Sequence, residues 1–220
     1  MHKPKAILFD AGGTLVTIHP ELFGDIVEPI LGERPSADRM FDAHYLAMDA
    51  VVANSQVVKE PGWWKWWLGA YLGFAGLSPS DEATEALSAT RGMWQQPIPG
   101  VIDAVVAIKD AGYRVAVVSN ADGHVSEDLE AAGYGGIFET IVDSTRVGVS
   151  KPNPAIFTVA LDALELDAAE TWYVGDSPLF DLAGAANAGI GEFVMVDPFG
   201  LYNYRPQVAT VTELPALLAD

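Results

Sequence analysis

Apolar residues follow two patterns along the chain, and the patterns predict two kinds of segment. Short runs that are apolar at successive positions predict strands of a parallel sheet, because such strands are buried on both faces. The predicted strands are Ala6–Phe9, Tyr113–Val118, Thr140–Val142, Trp172–Val174 and Phe193–Val196. The helices predicted between them are Val101–Ala111, Gly123–Ala132, Pro154–Leu164 and Leu179–Ala188. Strands that alternate with helices predict right-handed crossovers and a parallel sheet covered on both faces.

The stretch after the first strand, to about residue 96, is predicted to be an all-helical insert. Apolar residues at helix-like spacing predict the helices Glu21–Leu31, Ala37–Val58 and Asp81–Trp94. Breaks are expected at Pro29, Pro35, Pro61 and Pro79. If the first strand belongs to the same sheet as the later ones, this helical insert lies over the carboxyl edge of the sheet. We then expect it to act as a lid, with hinges near residues 14–20 and 96–100.

Composition limits the partners. The chain has 220 residues, and twelve Lys and Arg against thirty Asp and Glu give a formal net charge of −18. A surface this acidic repels nucleic-acid phosphates and anionic lipids, so neither nucleic acid nor a membrane surface is an expected partner. The absence of cysteine excludes disulfides and thiolate chemistry. The first residues lack the long apolar segment of a secretory signal, which predicts a cytoplasmic protein.

Candidate chemistry begins where the first strand ends, at Asp10. A Gly-Gly-Thr turn follows, and such a turn lets backbone N–H groups converge on an anion at the edge where open α/β sheets bind ligands. An Asp at this place is a nucleophile, a metal ligand, or both. Later polar segments are Ser119-Asn120, Lys151-Pro152, and Gly175-Asp176 followed by Asp181. Each of these alone is typical of an ordinary turn or helix start.

Together and in this order, the segments resemble the four signature motifs of the haloacid dehalogenase-like hydrolase superfamily. The resemblance covers the whole chain. The resemblance is to one subgroup in particular, in which the helical cap lies between the first and second motifs. The stretches that match this subgroup are Pro99-Gly100 and Ser150–Phe157. It implies an α/β fold: a Rossmann-like three-layer core with a parallel sheet, residues 1–14 and 97–220, and an all-helical cap domain, residues 15–96.

The resemblance also implies a Mg²⁺-dependent phosphatase that acts on a small phosphorylated metabolite through an aspartyl-phosphate. The oligomeric state stays open between monomer and homodimer. The implied catalytic residues are Asp10 and Lys151. The implied metal ligands are Asp10, Gly12 through its carbonyl, Asp176 and Asp181, the last acting through water or Lys151. The candidate phosphate-binding residues are Thr14, Ser119, Asn120 and Lys151; for Thr14 the first expectation is that it caps or steadies its turn, with phosphate contact second. Physically the set is consistent, since clustered carboxylates raise each other's pKa values unless a cation such as Mg²⁺ lies among them.

Gly12 departs from the pattern, because phosphatases of this superfamily usually have a second Asp there as general acid and base. Such catalysis typically contributes about 10²–10⁴-fold, or roughly 3–5 kcal/mol. Four interpretations stay open. In the first, a group such as His19 replaces the Asp, although His19 is more plainly an ordinary histidine of a surface loop. In the second, the substrate has a good leaving group that needs little protonation. In the third, the protein is a dehalogenase or a phosphonate-cleaving enzyme; for the latter, Lys65 would form a Schiff base. In the fourth, it is a weakly active or inactive member that binds a phosphorylated metabolite or a partner protein.

Two further features are less specific. The Asp-x-Gly-Gly-Thr turn also resembles the phosphate turn of sugar and acetate kinases, but these normally have two related domains, and the Lys-Pro and Gly-Asp motifs would be unexplained. The segment Trp63–Trp67 holds four Trp in five positions, which cannot all face one side of a helix. Some are expected to pack inside the cap and others to face the cleft or a partner. Asn120 either binds substrate or holds its turn.

Overall fold

The structure is a computed structural model that describes residues 3–219. The chain forms two compact units: a sheet unit, made of the chain up to Val16 and from Pro97 onward, and a helical unit, Thr17–Gln96. None of the helices within residues 3–219 has both the length and the apolar character that crossing a membrane requires.

The secondary structure follows the alternation of strands and helices along the chain. The strands are β1 (Ala6–Phe9), β2 (Val16–Thr17), β3 (Gln96–Pro97), β4 (Arg114–Ser119), β5 (Thr140–Asp143), β6 (Thr171–Gly175), β7 (Glu192–Val196) and β8 (Gln207–Val208). The helices are α1 (Pro20–Leu31), α2 (Ala37–Ala53), α3 (Trp63–Phe74), α4 (Asp81–Ala89), α5 (Val101–Asp110), α6 (Val125–Leu129), α7 (Ser144–Val147), α8 (Ala155–Leu164), α9 (Ala183–Ala188) and α10 (Leu214–Ala219).

Six parallel strands form the sheet, in the order β5-β4-β1-β6-β7-β8. All four side chains of β1 are buried, as the apolar run predicts. The register places Phe9 beside Val117 of β4 on one side and Val174 of β6 on the other. The sheet therefore grows in opposite directions from β1, and open α/β sheets bind ligands at such a change of direction. The predicted α/β fold with a parallel sheet is confirmed.

Helices cover both faces of the sheet. On one face, Leu8 and Tyr173 belong to an apolar cluster with Phe157 of α8 and Ala185 of α9. Side chains alternate between faces along a strand, so Phe9 points to the opposite face from Leu8. Helix α5 contacts β4 and lies outside the cluster around Leu8. The result is a three-layer unit with helices on both sides of the sheet.

The structure differs from the predicted elements mainly at helix ends. The helix predicted from residue 123 begins at Val125, because Gly123 has a left-handed φ of 101°. The helix predicted over residues 179–188 begins as a π-helical turn, Pro178–Leu182, before α9. Strand β8, at the edge of the sheet, was not predicted, since two residues give no periodicity.

The helical unit contains α1 to α4. Two helices begin at serine N-caps, where Ser36 accepts from the Arg39 N–H and Ser80 from the Ala83 N–H. The predicted helix 37–58 was too long, since α2 ends at Ala53. The predicted helix 81–94 was also too long, since α4 ends at Ala89. The break expected at Pro29 was wrong, because this proline lies inside α1.

The tryptophans of α3 divide between the interior and the surface of the helical unit. Trp67 is fully buried and stacks on Trp64 with ring centroids 4.5 Å apart. His44 of α2 and Trp94 also contact the Trp67 ring. Trp66, by contrast, is exposed. Because neighbouring residues of a helix point in different directions, some of these tryptophan rings are buried in the helical unit and others lie at its surface.

Candidate active site

The nucleophile predicted from the sequence lies directly after β1. The Asp10 backbone N–H donates to the Val174 carbonyl at 2.8 Å, which fixes Asp10 beside the end of β6. Ser119 is the last residue of β4, and Asp176 follows the last residue of β6. Because these three strands are adjacent and parallel, Asp10, Ser119 and Asp176 meet at one edge of the sheet.

In the turn after Asp10, several backbone N–H groups donate to one carbonyl oxygen. The N–H groups of Thr14, Leu15 and Val16 all point at the Ala11 oxygen, at 3.2, 2.8 and 3.0 Å. Gly13, whose φ is 75°, supplies the left-handed residue that so tight a turn requires. The Thr14 side chain is fully buried, and its hydroxyl has no hydrogen-bond partner among residues 3–219. The turn that follows Asp10 therefore holds a buried hydroxyl without a protein partner among the described residues.

Lys151 brings a positive charge to the same edge. Its ammonium donates to Asp10 Oδ1 at 2.7 Å, to Asp181 Oδ1 at 2.7 Å and to the Tyr173 hydroxyl at 2.8 Å. Only 2% of the Lys151 side chain is exposed. Burial opposes the charge on Lys151, but the two neighbouring carboxylates hold its pKa above the ordinary value. The ammonium is therefore a fixed cation between two predicted site carboxylates.

Asp181 reaches the site from the π-helical turn. Its Oδ2 accepts the Ser177 N–H at 2.9 Å, and its Oδ1 faces Lys151. A Cβ on Gly175 would lie 2.6 Å from the Asp181 carboxyl carbon, so the carboxyl group packs directly against the Gly175 backbone. The glycine before Asp176 is thus required by space rather than by backbone conformation.

Three carboxyl groups form an acidic cluster. One carboxylate oxygen from each of Asp10, Asp176 and Asp181 lies within 4.8 Å of the others. Burial, opposed by Lys151 and reinforced by the neighbouring carboxylates, raises the pKa of Asp181 to about 7. Burial also raises the pKa of Asp10, with Lys151 opposing it. The cluster combines three carboxyl groups with one ammonium, and this oxygen-rich set could hold a hard divalent cation.

The Asn120 side chain forms hydrogen bonds with the backbone of Lys151. Its side-chain Oδ1 accepts the Lys151 N–H at 2.8 Å, and its Nδ2 donates to the Lys151 carbonyl at 3.0 Å. From α9, Asn187 donates to the carbonyl of the next residue, Pro152, at 3.1 Å. Two asparagines therefore hold the segment that presents Lys151.

The loop after Ser119 is organised by the end of β5. The buried Asp143 carboxylate accepts the backbone N–H groups of Gly123, Val125 and Thr145, at 3.0, 3.3 and 2.9 Å. Ser144 accepts the Ala121 N–H at 3.0 Å. The sequence analysis did not single out Asp143, whose signal is an acidic residue at the end of a strand.

His19 and Lys65 belong to the helical unit, where each has a local role. His19 is the N-cap of α1, and its Nδ1 lies 3.4 Å from the Leu22 N–H. Lys65 forms an exposed ion pair with Glu85. His19 therefore has an ordinary structural role, because its side chain caps the first turn of α1.

Tyr173 is a second site residue, besides Asp143, that no sequence motif indicated. It lies inside the apolar run of β6, where a tyrosine reads as one more core side chain. The available signal was its hydroxyl, because a buried tyrosine usually needs a hydrogen-bond partner and Tyr173 stands three residues before Asp176.

Comparison with known proteins finds relatives of the chain by sequence and by fold. A family model described as haloacid dehalogenase-like hydrolase matches residues 4–189. The chain is 32% identical over 104 residues to a glyceraldehyde 3-phosphate phosphatase of Pyrococcus abyssi, a match that covers 46% of this chain and 43% of that protein. Matches to the curated relatives span about half of their length.

Two solved structures share the fold over the full chain. One is the HAD-hydrolase YfnB from Bacillus subtilis bound to magnesium, with a TM-score of 0.72, 19% identity and full coverage of both chains. The other is a dehalogenase with an intermediate complex, with a TM-score of 0.68, 21% identity and coverage of 100% of this chain and 99% of that one. At these identities the likeness concerns the fold.

Proposed function

The chain belongs to the haloacid dehalogenase-like hydrolase family, and from this premise we propose that it is a Mg²⁺-dependent phosphatase of small phosphorylated metabolites. The observation that carries the proposal is the buried Lys151 ammonium bound between Asp10 and Asp181, with Asp176 in the same cluster. Positioning and charge neutralisation account for most of the catalysis of phosphoryl transfer, and this cluster supplies both.

The donor set fits Mg²⁺ by charge and by ligand type. With all three carboxyl groups ionised, they and the one ammonium carry a formal charge of −2. Asp10, Asp176 and the Gly12 carbonyl would be direct ligands, and Asp181 would support the ion through water or Lys151. Bound there, Mg²⁺ would neutralise charge on the phosphoryl group.

The proposed reaction uses Asp10 as the nucleophile. Its Oδ1 accepts from Lys151, which leaves Oδ2 to attack phosphorus. The new bond joins the carboxylate oxygen to phosphorus, the ester P–O bond breaks, and the leaving oxygen takes a proton from water. A second water then attacks the aspartyl-phosphate, giving inorganic phosphate and free Asp10. In this proposal the buried hydroxyls of Thr14 and Ser119 bind phosphate oxygens.

Gly12 narrows the substrate class within this proposal. A glycine cannot donate a proton to the leaving group, and Nδ1 of His19, the candidate replacement, faces the Leu22 N–H as a helix cap. We therefore favour a phosphate ester whose leaving group needs little protonation. Gly12 also favours carbon–halogen hydrolysis as a second candidate function, because the dehalogenases of this superfamily likewise lack the second Asp. Those dehalogenases work without a metal ion, however, whereas the three-carboxylate cluster suits one.

The deciding experiment is a substrate panel on the full chain and on Asp10→Asn. The panel contains an aryl phosphate, glyceraldehyde 3-phosphate, other phosphate monoesters and 2-haloacids, each with Mg²⁺ and with chelator. We expect Mg²⁺-dependent phosphate release that Asp10→Asn abolishes. Halide release in chelator would replace the phosphatase by the second candidate. Equal silence of both proteins would favour a binding module over an enzyme.

A further inference from the structure

The Tyr173 hydroxyl lies within the charged cluster, yet no step of the proposed reaction uses it. It accepts from the Lys151 ammonium at 2.8 Å and lies 2.9 Å from the Val118 carbonyl and 3.0 Å from Asp181 Oδ1. The tyrosine is fully buried. It is the one uncharged side chain among the three that receive the protons of Lys151.

Counting protons shows what the hydroxyl contributes. A lysine ammonium has three N–H donors and no acceptor, and here each donor has its own partner: Asp10, Asp181 and Tyr173. The tyrosine hydroxyl has one proton, which can go to the Val118 carbonyl while its lone pairs face the ammonium. With this arrangement the three N–H directions of Lys151 are all fixed by the protein.

The tyrosine ring is itself held firmly. Tyr173 stands on β6 beside the central strand, and its ring packs edge-on against Phe157 with centroids 4.9 Å apart. The Phe193 ring lies 6.1 Å away on the other neighbouring strand. A rigid acceptor of this kind restricts the direction that the flexible lysine stem gives its ammonium group.

We propose that Tyr173 is a positioning residue whose hydroxyl accepts the third ammonium proton of Lys151 and so holds the charge midway between Asp10 and Asp181. This inference rests on the proposed function and adds a residue to it. Without the hydroxyl, the ammonium is free to turn toward one carboxylate. The nucleophile then loses its alignment, and small misplacements of reacting groups reduce rates strongly.

The matched test compares Tyr173→Phe with Tyr71→Phe. Each variant removes one buried hydroxyl and keeps the ring, and the Tyr71 hydroxyl donates to the Met40 carbonyl at 3.0 Å inside the helical unit. Aryl phosphate turnover with Mg²⁺ is measured per folded protein, with thermal unfolding as the folding control. We expect Tyr173→Phe to lower kcat at least about tenfold with KM nearly unchanged, and Tyr71→Phe to leave both unchanged.

A second measurement needs no turnover. The chain has six lysines, and Lys151 alone is buried, since the other five are exposed. In ¹⁵N-labelled protein without metal, we expect one lysine ammonium signal protected from exchange with water. The signal should vanish or broaden in Tyr173→Phe and persist in Tyr71→Phe. A signal preserved in Tyr173→Phe, or a kcat equal to that of Tyr71→Phe, would overturn the positioning role.

The two measurements separate this inference from the proposed function. If the wild-type chain hydrolyses no phosphate ester, the phosphatase proposal fails, while the ammonium signal still reports on the contact between Tyr173 and Lys151. If the wild type is active and both hydroxyl variants match it, the phosphatase proposal stands and Tyr173 is only a satisfied core tyrosine.

Discussion

Replacing Lys151 with Met removes a buried charge and keeps most of the aliphatic stem. The wild-type ammonium forms two ion pairs of 2.7 Å, and the Asp181 side chain on one of them is only 1% exposed. Deleting one partner of a buried ion pair costs about 3–5 kcal/mol, because the remaining charge stays buried without compensation. At pH 8 and without metal, we expect Lys151→Met to lower the free energy of unfolding by about this amount.

The loss should shrink at lower pH, and proton linkage gives the sign. Burial raises the pKa values of Asp10 and Asp181 while Lys151 opposes the rise, so removing Lys151 raises both pKa values further. A carboxyl group with a higher pKa when folded stabilises the fold below its unfolded pKa of about 3.9, and that stability is lost as the pH rises through the folded pKa. The pKa of Asp181 is already about 7 with Lys151 present. At pH 5 we therefore expect a loss of only about 1–2 kcal/mol.

Urea unfolding followed by circular dichroism, in chelator at pH 5 and pH 8, measures both values. Lys109→Met is the matched control, because the exposed Lys109 donates only to the backbone carbonyls of Gly136 and Ile137 among the described residues. Its effect should be small and equal at the two pH values. An equal loss at both pH values in Lys151→Met would refute the charge argument and would assign the stability of the contact to packing.

Three further predictions concern single atoms near the site and one strained residue. Gly175→Ala places a Cβ 2.6 Å from the Asp181 carboxyl group; we expect about 1–3 kcal/mol of lost stability and weaker Mg²⁺ binding by calorimetry, and wild-type values would contradict this. Glu165 has a left-handed φ of 51° at the end of α8; Glu165→Gly should raise the free energy of urea unfolding by about 0.5–1 kcal/mol, and a decrease would show that this backbone is unstrained. Asn120→Asp turns the donor to the Lys151 carbonyl into an acceptor; we expect kcat on an aryl phosphate to fall with little change in KM, whereas a rise in KM alone would make Asn120 a substrate-binding residue.

The apolar runs and the polar residues that end them were readable from the sequence because both are local. Ala6–Phe9 is apolar at every position, as expected of a strand buried on both faces. It forms β1, one of the two central strands of the sheet. Parallel strands bring their carboxyl ends to one edge, so the order of the motifs was enough to predict that Asp10, Ser119 and Asp176 gather there. Helix ends were less predictable, since single glycines and π-helical turns decide where α6 and α9 begin.

The contacts that define the site were beyond the sequence pattern. Lys151 lies 141 positions from Asp10 and 31 from Asn120 along the chain. No periodicity links such residues. Asn120 follows a strand in the way that many turn residues do, and only the fold turns both of its amide atoms toward the Lys151 backbone.

The sequence by itself determined the parallel sheet and which charged groups reach its edge, because hydrophobic periodicity and strand order depend on neighbouring residues. The tertiary structure decided how those charges are held: the Tyr173 hydroxyl beneath Lys151, and the Gly175 backbone against which Asp181 packs. Hydrogen bonds and close packing act over a few ångströms in space between residues far apart in sequence, so they exist only once the register of the strands is set.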